Sequence, residues 1–247
     1  MTDDARSLVI AVGATAIAAL LLGWFLRSYL SERSLRRLQT FFGLPEHSEC
    51  LLVVSRDTGS DGAVGRNDVL ALLELAAVIK NCKATTQLIS GETVRQGFGE
   101  RTEFCVGGPV ANRRMADHLR SLLPGVTVDT DAEHGPDRGA FLIGGDRYRL
   151  ANGSVEYVLL ARLTAGQEGR PVFLACGQRP IASQAATRYL VRHHRRLARK
   201  HGSGGDFCLL LKVVNSQAYG PDVVELVKDV TRGATSPHPK LTTSKDL

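Results

Sequence analysis

Apolar residues follow two different patterns along the chain, and the first is an uncharged run at positions 8–26. At about 1.5 Å of rise per residue, a helix over this run is about 28 Å long, close to the ~30 Å hydrocarbon thickness of a bilayer. Trp24 and Phe25 lie near one end, where aromatic residues of membrane helices are common. The run predicts a transmembrane helix that contacts the lipid bilayer through residues 8–26.

A secretory signal peptide and a buried core helix are the alternatives. Signal peptides begin with basic residues, whereas Asp3 and Asp4 precede the single Arg6 here. The small-residue pattern that a signal peptidase would need lies at 14–16, inside the run instead of after it. A core helix of this length would contain more polar residues. We therefore expect the helix to be retained.

The charged residues around the run predict its direction in the membrane. One arginine precedes the run, and four follow it closely: Arg27, Arg33, Arg36 and Arg37. Cytoplasmic flanks of membrane helices are rich in Lys and Arg. The chain is therefore expected to cross the cell membrane once, with a short N-terminus (1–7) outside and the C-terminal domain in the cytoplasm.

The helical pattern continues beyond the predicted span, through residues 27–45. Leucine and phenylalanine recur there between arginines, and Gly43 and Pro45 are typical of a helix end. This juxtamembrane helix is expected to act as a spacer or to lie on anionic lipid.

From residue 46 onward the second pattern appears, in which short apolar runs alternate with segments of helical periodicity. The run at 50–55 is continuously apolar up to Ser55, as in a strand buried on both faces of a sheet. Further strands are predicted at 84–90, 104–106, 126–129, 140–143, 147–150, 155–164, 171–176 and 207–214. Helices are predicted at 67–82, 109–123, 181–201 and 221–231.

Strands that alternate with helices indicate βαβ units and a mostly parallel sheet. The predicted fold class is therefore α/β: an N-terminal transmembrane helix followed by a Rossmann-like three-layer domain over 46–232. Residues 233–247 have the composition of a disordered tail.

Composition and charge narrow the choice of partners. The chain of 247 residues has a formal net charge of +6, which favours anionic partners. Aromatic residues make up only 6%, which argues against a surface that stacks bases, so nucleic acid is an unlikely partner. The five cysteines include no C-x-x-C pair, so no metal site is predicted, and their apolar surroundings are typical of free thiols in the cytoplasm.

Two segments repeat one strand–loop–helix pattern, in which an apolar strand ends in glycine and is followed by proline, a β-branched residue, alanine and a helix-capping residue. Gly107, Gly108 and Asn112 belong to the first segment, and Gly177 and Ser183 to the second. Glycine allows a ligand to approach the backbone, and helix N-termini attract anions. Because ligands bind at such strand ends, these five residues are predicted to line one crevice that takes a nucleotide or other small anion. Plain turn geometry is the alternative.

The segment Gly107-Gly108-Pro109-x-x-Asn112 resembles one in uncharacterised bacterial membrane-anchored proteins with a Rossmann-like domain. The resemblance extends discontinuously from Cys105 to Leu190. It implies the fold but no reaction and no cofactor.

Two further features, an arginine and a pair of cysteines, could carry chemistry. Arg56 follows the first strand, at the usual position of a phosphate-binding loop, and joins the predicted ligand set, although an exposed loop arginine is the alternative. Cys105 and Cys176 precede the glycine turns and would be nucleophiles if a base such as His118 or His134 lay beside them. Strand cysteines are more often inert packing residues.

A basic face is predicted on the helix at 181–201. Its arginines either face solvent or contact anionic lipid or nucleic acid, and they are Arg192, Arg195, Arg196 and Arg199. Three functions remain open from the sequence: a ligand-binding module, a hydrolase or transferase acting on a nucleotide-like ligand, and a structural or interaction module at the membrane.

Overall fold

The computed structural model describes residues 3–55, 64–92, 98–130, 137–164, 166 and 169–237, with side chains from Leu20 onward. A single helix, α1, extends from Asp3 to Phe42 and is therefore about 60 Å long. It contains the predicted span and most of the predicted juxtamembrane segment without interruption. Within the described residues, no helix is both long enough and apolar enough to cross a membrane. The side chains at 8–19 of the predicted span lie outside the described residues.

The remainder of the described chain is α/β, as predicted, and is built on a seven-stranded sheet. The strands of this sheet are β1 (Glu49–Val54), β2 (Thr85–Ser90), β3 (Thr102–Val106), β7 (Val155–Thr164), β8 (Pro171–Gly177), β9 (Phe207–Val214) and β10 (Val224–Asp229). Their spatial order is β10-β9-β7-β8-β3-β1-β2. Strands β1, β2, β3 and β8 pair in parallel, whereas β7 and β10 run antiparallel to their neighbours. The sheet is mixed, with β9 running in the same direction as β8.

A smaller antiparallel sheet and five more helices complete the fold. The small sheet contains β4 (Val126–Val128), β5 (Phe141–Ile143) and β6 (Asp146–Tyr148). The helices are α2 (Arg66–Asn81), α3 (Arg113–Leu122), α4 (Pro180–His201), α5 (Ser216–Tyr219) and α6 (Thr231–Thr235).

Two apolar cores lie on opposite faces of the large sheet. One lies beneath α2, α4 and the end of α1, and the other beneath α3, α6 and the small sheet. Burial on both faces of the sheet explains why the sequence of β1 is continuously apolar. Because successive side chains point to opposite faces, Cys50 and Leu52 pack in the first core, and Leu51 and Val53 pack in the second.

The last turn of α1 is part of the first core. Phe41 and Phe42 are 1% and 0% exposed, and the Phe42 ring lies 5.5 Å from that of Phe173. The helix ends where Gly43 adopts a φ of +62°, as the glycine pattern predicted. The end of the predicted juxtamembrane segment is therefore part of the folded domain.

Residues 221–231 form mainly strand β10, and the predicted helix there is wrong. This strand lies at the edge of the sheet, antiparallel to β9, and its pairing shifts register between Leu226 and Lys228. Most of its side chains are exposed. An exposed, irregular edge strand lacks the alternation of apolar and polar residues that distinguishes a strand from a helix in sequence.

Two other boundaries also differ from the prediction. Helix α3 begins at Arg113 instead of 109, because Asn112 caps it. The predicted tail began at 233, but α6 extends to Thr235, and Ala234 is fully buried. Residues 238–247 lie outside the described residues.

Candidate functional site

A cleft of about 280 Å³ lies at the carboxyl ends of β1, β3 and β8. Strand β1 lies between β2 and β3, while α2 and α3 pack on opposite faces of the sheet. The helices that follow the neighbouring strands β1 and β3 therefore lie on opposite faces of the sheet. Such a position is a topological switch point, where ligands of open α/β sheets bind. The cleft residues that matter below are Ser55, Asp68, Gly107, Gly108, Gly177 and Arg179.

The glycines of the two repeated loops meet in this cleft. A Cβ atom on Gly108 would lie 3.2 Å from the carbonyl oxygen of Gly177. Gly107 has a φ of +114°, and a Cβ atom there would collide with the hydroxyl of Ser55. Gly108 therefore lets the first loop lie close to the second loop, and Gly107 lets it lie close to the end of β1.

The two predicted capping residues of the repeated pattern, Asn112 and Ser183, lie beneath the loops and do not line the cleft. Asn112 caps α3 as predicted, but the capping role predicted for Ser183 is wrong, because Ser183 lies inside α4, whose N-cap is Arg179. Asn112 is fully buried; its Oδ1 accepts a hydrogen bond from the Met115 amide at 3.0 Å, and its Nδ2 donates to the Val106 carbonyl at 3.0 Å. Ser183 is also buried, and its Oγ accepts from the Gly177 amide at 3.1 Å. These contacts indicate that both side chains shape the loops.

Arg179 and Asp68 line the cleft, although the repeated pattern does not include them. Arg179 is the N-cap residue of α4, and its guanidinium donates to Oδ1 of Asn152 at 2.9 Å. Asp68 lies in the first turn of α2 and is 4% exposed. A signal for Arg179 was present in the sequence, since this residue lies between Gly177 and Pro180 of the second segment.

The cleft is lined by a basic and an acidic side chain, Arg179 and Asp68. Arg179 and the N-terminus of α4 lie beside the glycine loops and favour an anionic group. The carboxylate of Asp68 accepts hydrogen bonds from hydroxyl or amino groups. The predicted ligand residue Arg56 lies outside the described residues, but its neighbour Ser55 lines the cleft.

The cysteines beside the glycine turns are poorly placed for catalysis. Cys105 and Cys176 are both fully buried. Burial raises the pKa of the Cys176 thiol to about 12 and raises that of Cys105 well above its ordinary value. A nucleophilic cysteine needs a lowered pKa, so both thiols have the properties of packing residues.

His118 does lie near Cys105, in a buried cluster that also contains Glu103. Their potential ligand atoms lie within 4.8 Å of one another, the one such group of three found among the described residues. The Glu103 carboxylate accepts hydrogen bonds from Arg114 at 2.6 and 2.5 Å and lies 2.7 Å from Nε2 of His118. A cation would have to displace the guanidinium, so the cluster is better explained as an ion pair that attaches α3 to β3. His134 lies outside the described residues.

A larger groove of about 610 Å³ lies between the small sheet and β10. Several of its charged side chains already pair with each other or with a neighbour. Lys228 lies 3.4 Å from Asp146, and Asp229 lies 3.2 Å from Lys200. The glycine-lined cleft, at the carboxyl ends of the strands, is the better candidate for a ligand site.

No model of a known protein family matches this chain, and no curated protein matches it either. The function is therefore inferred from the geometry of the cleft.

Proposed function

We propose that this protein is a membrane-anchored, Rossmann-like protein that binds a nucleotide or another small anionic ligand in the glycine-lined cleft. The observation that carries the proposal is the meeting of two glycine loops beside Arg179, at the carboxyl ends of β3 and β8. Bare backbone beside a guanidinium and a helix N-terminus is a common arrangement for holding phosphate.

The size and polarity of the cleft support a small ligand. Its volume of about 280 Å³ is near the lower end of ligand pockets, which hold ~300–1,000 Å³. A ligand of mononucleotide size or smaller fits this volume better than a dinucleotide does. Asp68 would accept a hydrogen bond from a sugar hydroxyl or an amino group, while Arg179 would bind the phosphate.

The anchoring part of the proposal depends on α1. Its sequence contains the uncharged run at 8–26, and its large apolar side chains at 20–30 are strongly exposed, including Leu20 at 74% and Trp24 at 71%. A row of exposed large apolar residues is unfavourable in water and indicates burial elsewhere. With arginines after the run, the cleft would lie in the cytoplasm.

Ligand binding can be tested by thermal shift and calorimetry on the full chain in detergent. Mononucleotides and inorganic phosphate are the probes, and we expect at least one of them to raise the melting temperature. G108V places a branched side chain against Gly177 and is expected to lower the affinity at least tenfold, about 1.4 kcal/mol. G204V is the matched control, because Gly204 is exposed, with open space around it. A lack of response to every probe would refute the binding proposal.

Anchoring can be tested separately in isolated membranes. The chain is expected to remain in the membrane fraction after alkaline carbonate extraction, because a spanning helix does not depend on surface charge for its retention. Protease added from the cytoplasmic side is expected to digest the α/β domain. Release of the chain by carbonate would exclude a spanning helix.

A further inference from the structure

The end of helix α1 and the cleft lie at opposite ends of the strands of the large sheet. Thr102, the first residue of β3, donates a hydrogen bond from Oγ1 to the Gly43 carbonyl at 2.6 Å. Gly43 also lies against Pro171, the first residue of β8, so closely that a Cβ atom there would collide with the proline ring. Helix α1 therefore enters at the amino ends of β3 and β8, whereas the cleft lies at their carboxyl ends.

Helix α4 runs from the carboxyl ends of the strands back towards their amino ends, where α1 joins the domain. It begins at the cleft, directly after β8, and its residue His194 lies 5.8 Å from the Phe42 ring, measured between centroids. The helix continues for about 10 Å from His194 to His201, whose ring lies 5.0 Å from that of Phe207, the first residue of β9. The C-terminal half of α4 thus lies beside the last turn of α1, at the amino ends of the strands.

A buried arginine joins the two helix ends. Arg162 is 3% exposed and donates hydrogen bonds to the Phe41 carbonyl at 3.1 Å and to the Gly204 carbonyl, in the loop after α4, at 2.7 Å. One guanidinium therefore holds the end of α1 and the loop after α4 together. Packing and hydrogen bonds within the domain therefore determine the position of α4 relative to the last turn of α1.

The end of α4 carries an excess of exposed positive charge, which we call the α4 basic face. Its residues are Arg192, Arg195, Arg196, Arg199 and Lys200. Within the described part of the chain, Arg192 lies 3.9 Å from Asp222 and Lys200 lies 3.2 Å from Asp229, whereas no ion pair involves Arg195 or Arg199. Arg195 and Arg199 can therefore form ion pairs with an external anion.

We infer that the α4 basic face contacts the acidic phospholipid headgroups of the membrane that α1 enters, so that the cleft opens away from the bilayer. This inference rests on the proposed anchoring. Basic residues beside a membrane helix are attracted to anionic lipid. Lipid is favoured over nucleic acid because the C-terminal half of α4 packs against the last turn of α1 through His194. In addition, Tyr189, the aromatic residue under Arg196, is buried and cannot stack on a base.

The test uses the full chain in nanodiscs that contain a fluorescence quencher on the lipid headgroups. All five native cysteines are buried, so a dye can be placed on G204C, beside α4, or on V110C, at the cleft, where Val110 is 77% exposed. Stronger quenching is expected at position 204 than at 110. Replacing phosphatidylcholine in part by phosphatidylglycerol should increase quenching at 204, and high salt should remove the increase.

A charge reversal with a matched control identifies the responsible residues. The double variant R195E/R199E is expected to lower the equilibrium constant for contact between α4 and the lipid headgroups roughly tenfold or more. Phosphatidylglycerol should then no longer increase quenching at position 204. R113E/R120E changes the same number of charges at exposed positions of α3 and should leave the effect intact.

Each opposite outcome has a distinct meaning. If the chain does not enter nanodiscs, the proposed anchoring fails and the lipid contact fails with it. If it enters but quenching at 204 is the same in both lipid mixtures, the lipid contact alone is refuted. Salt-sensitive binding of an oligonucleotide that R195E/R199E removes, without a lipid effect, would overturn the inference in favour of nucleic acid.

Discussion

Glu103 shows how packing changes the properties of one side chain. This carboxylate is 2% exposed at the start of β3, between Arg114 and His118 of α3. Burial acts to raise its pKa, but the hydrogen bonds and charges of these two neighbours outweigh burial and hold the pKa below its ordinary value. Glu103 is therefore ionised at neutral pH and links α3 to the sheet.

Replacing Glu103 is expected to be strongly destabilising. E103A leaves the Arg114 guanidinium without its carboxylate, and removal of one partner of a buried ion pair costs about 3–5 kcal/mol. Chemical denaturation monitored by circular dichroism measures the loss. D117A is the control, because Asp117 pairs with Arg120 on the exposed side of the same helix and should change the unfolding free energy by less than about 1 kcal/mol.

Asn112 is a second residue whose role can be measured. N112A removes the helix cap and leaves the buried Val106 carbonyl without the Nδ2 donor, so a loss of about 2 kcal/mol is expected. N152A, at an exposed asparagine, should be nearly neutral in the same denaturation experiment. Equal effects of the two substitutions would show that the cap contributes no stability.

At the scale of elements, α1 belongs to two environments. Its described side chains between 20 and 34 are exposed, whereas Phe41 and Phe42 are buried against β3, β8 and β9. The sequence predicts the helix and its end at Gly43 from charge, apolar length and glycine. It does not indicate that the last turn belongs to the core, because a phenylalanine pair in a basic juxtamembrane helix is equally suited to a lipid surface.

This double role predicts a difference between two phenylalanines of one helix. F42A removes a fully buried ring and should destabilise the domain by about 3–5 kcal/mol. F25A, at a ring that is 63% exposed, should change the unfolding free energy by no more than about 0.5 kcal/mol. Urea denaturation in a mild detergent compares them, and a neutral F42A would show that the end of α1 is not part of the folding unit.

At the scale of the whole molecule, the lowered pKa values of Glu103 and Asp229 predict sensitivity to acid. For Asp229, burial opposes the shift, but the hydrogen bonds from Thr231 and Lys200 prevail. A carboxyl group whose pKa is lower in the folded state stabilises fully above its unfolded pKa of ~4 and loses that contribution as pH falls through the folded value.

We therefore expect the unfolding free energy contributed by these carboxylates to be constant near neutral pH and to decrease below about pH 4.5. E103Q, which mimics the protonated carboxyl, should start from a lower stability and lose less of it in acid. Denaturation curves collected from pH 7 to pH 3 measure both slopes. A slope for E103Q equal to that of the native chain would contradict the role given to Glu103.

The sequence alone predicted the order of strands and helices as far as β9, because buried strands such as β1 must be apolar and packed helices repeat their apolar residues at helical spacing. It also identified the two glycine loops, because a tight turn before a helix requires particular residues. It did not identify β10, whose exposed edge position leaves no periodic pattern, or Asp68 as a cleft residue.

Which side chains reach the cleft depends on contacts between distant parts of the chain. The placement of Asn112 and Ser183 beneath the loops, and of Arg179 beside them, depends on how β3 and β8 pair and where α3 and α4 begin. The same packing places the C-terminal half of α4 beside the last turn of α1, whereas the cleft lies at the carboxyl ends of the strands. Local sequence patterns reflect burial and backbone conformation, whereas the position of one loop relative to another results from contacts between residues far apart in the chain.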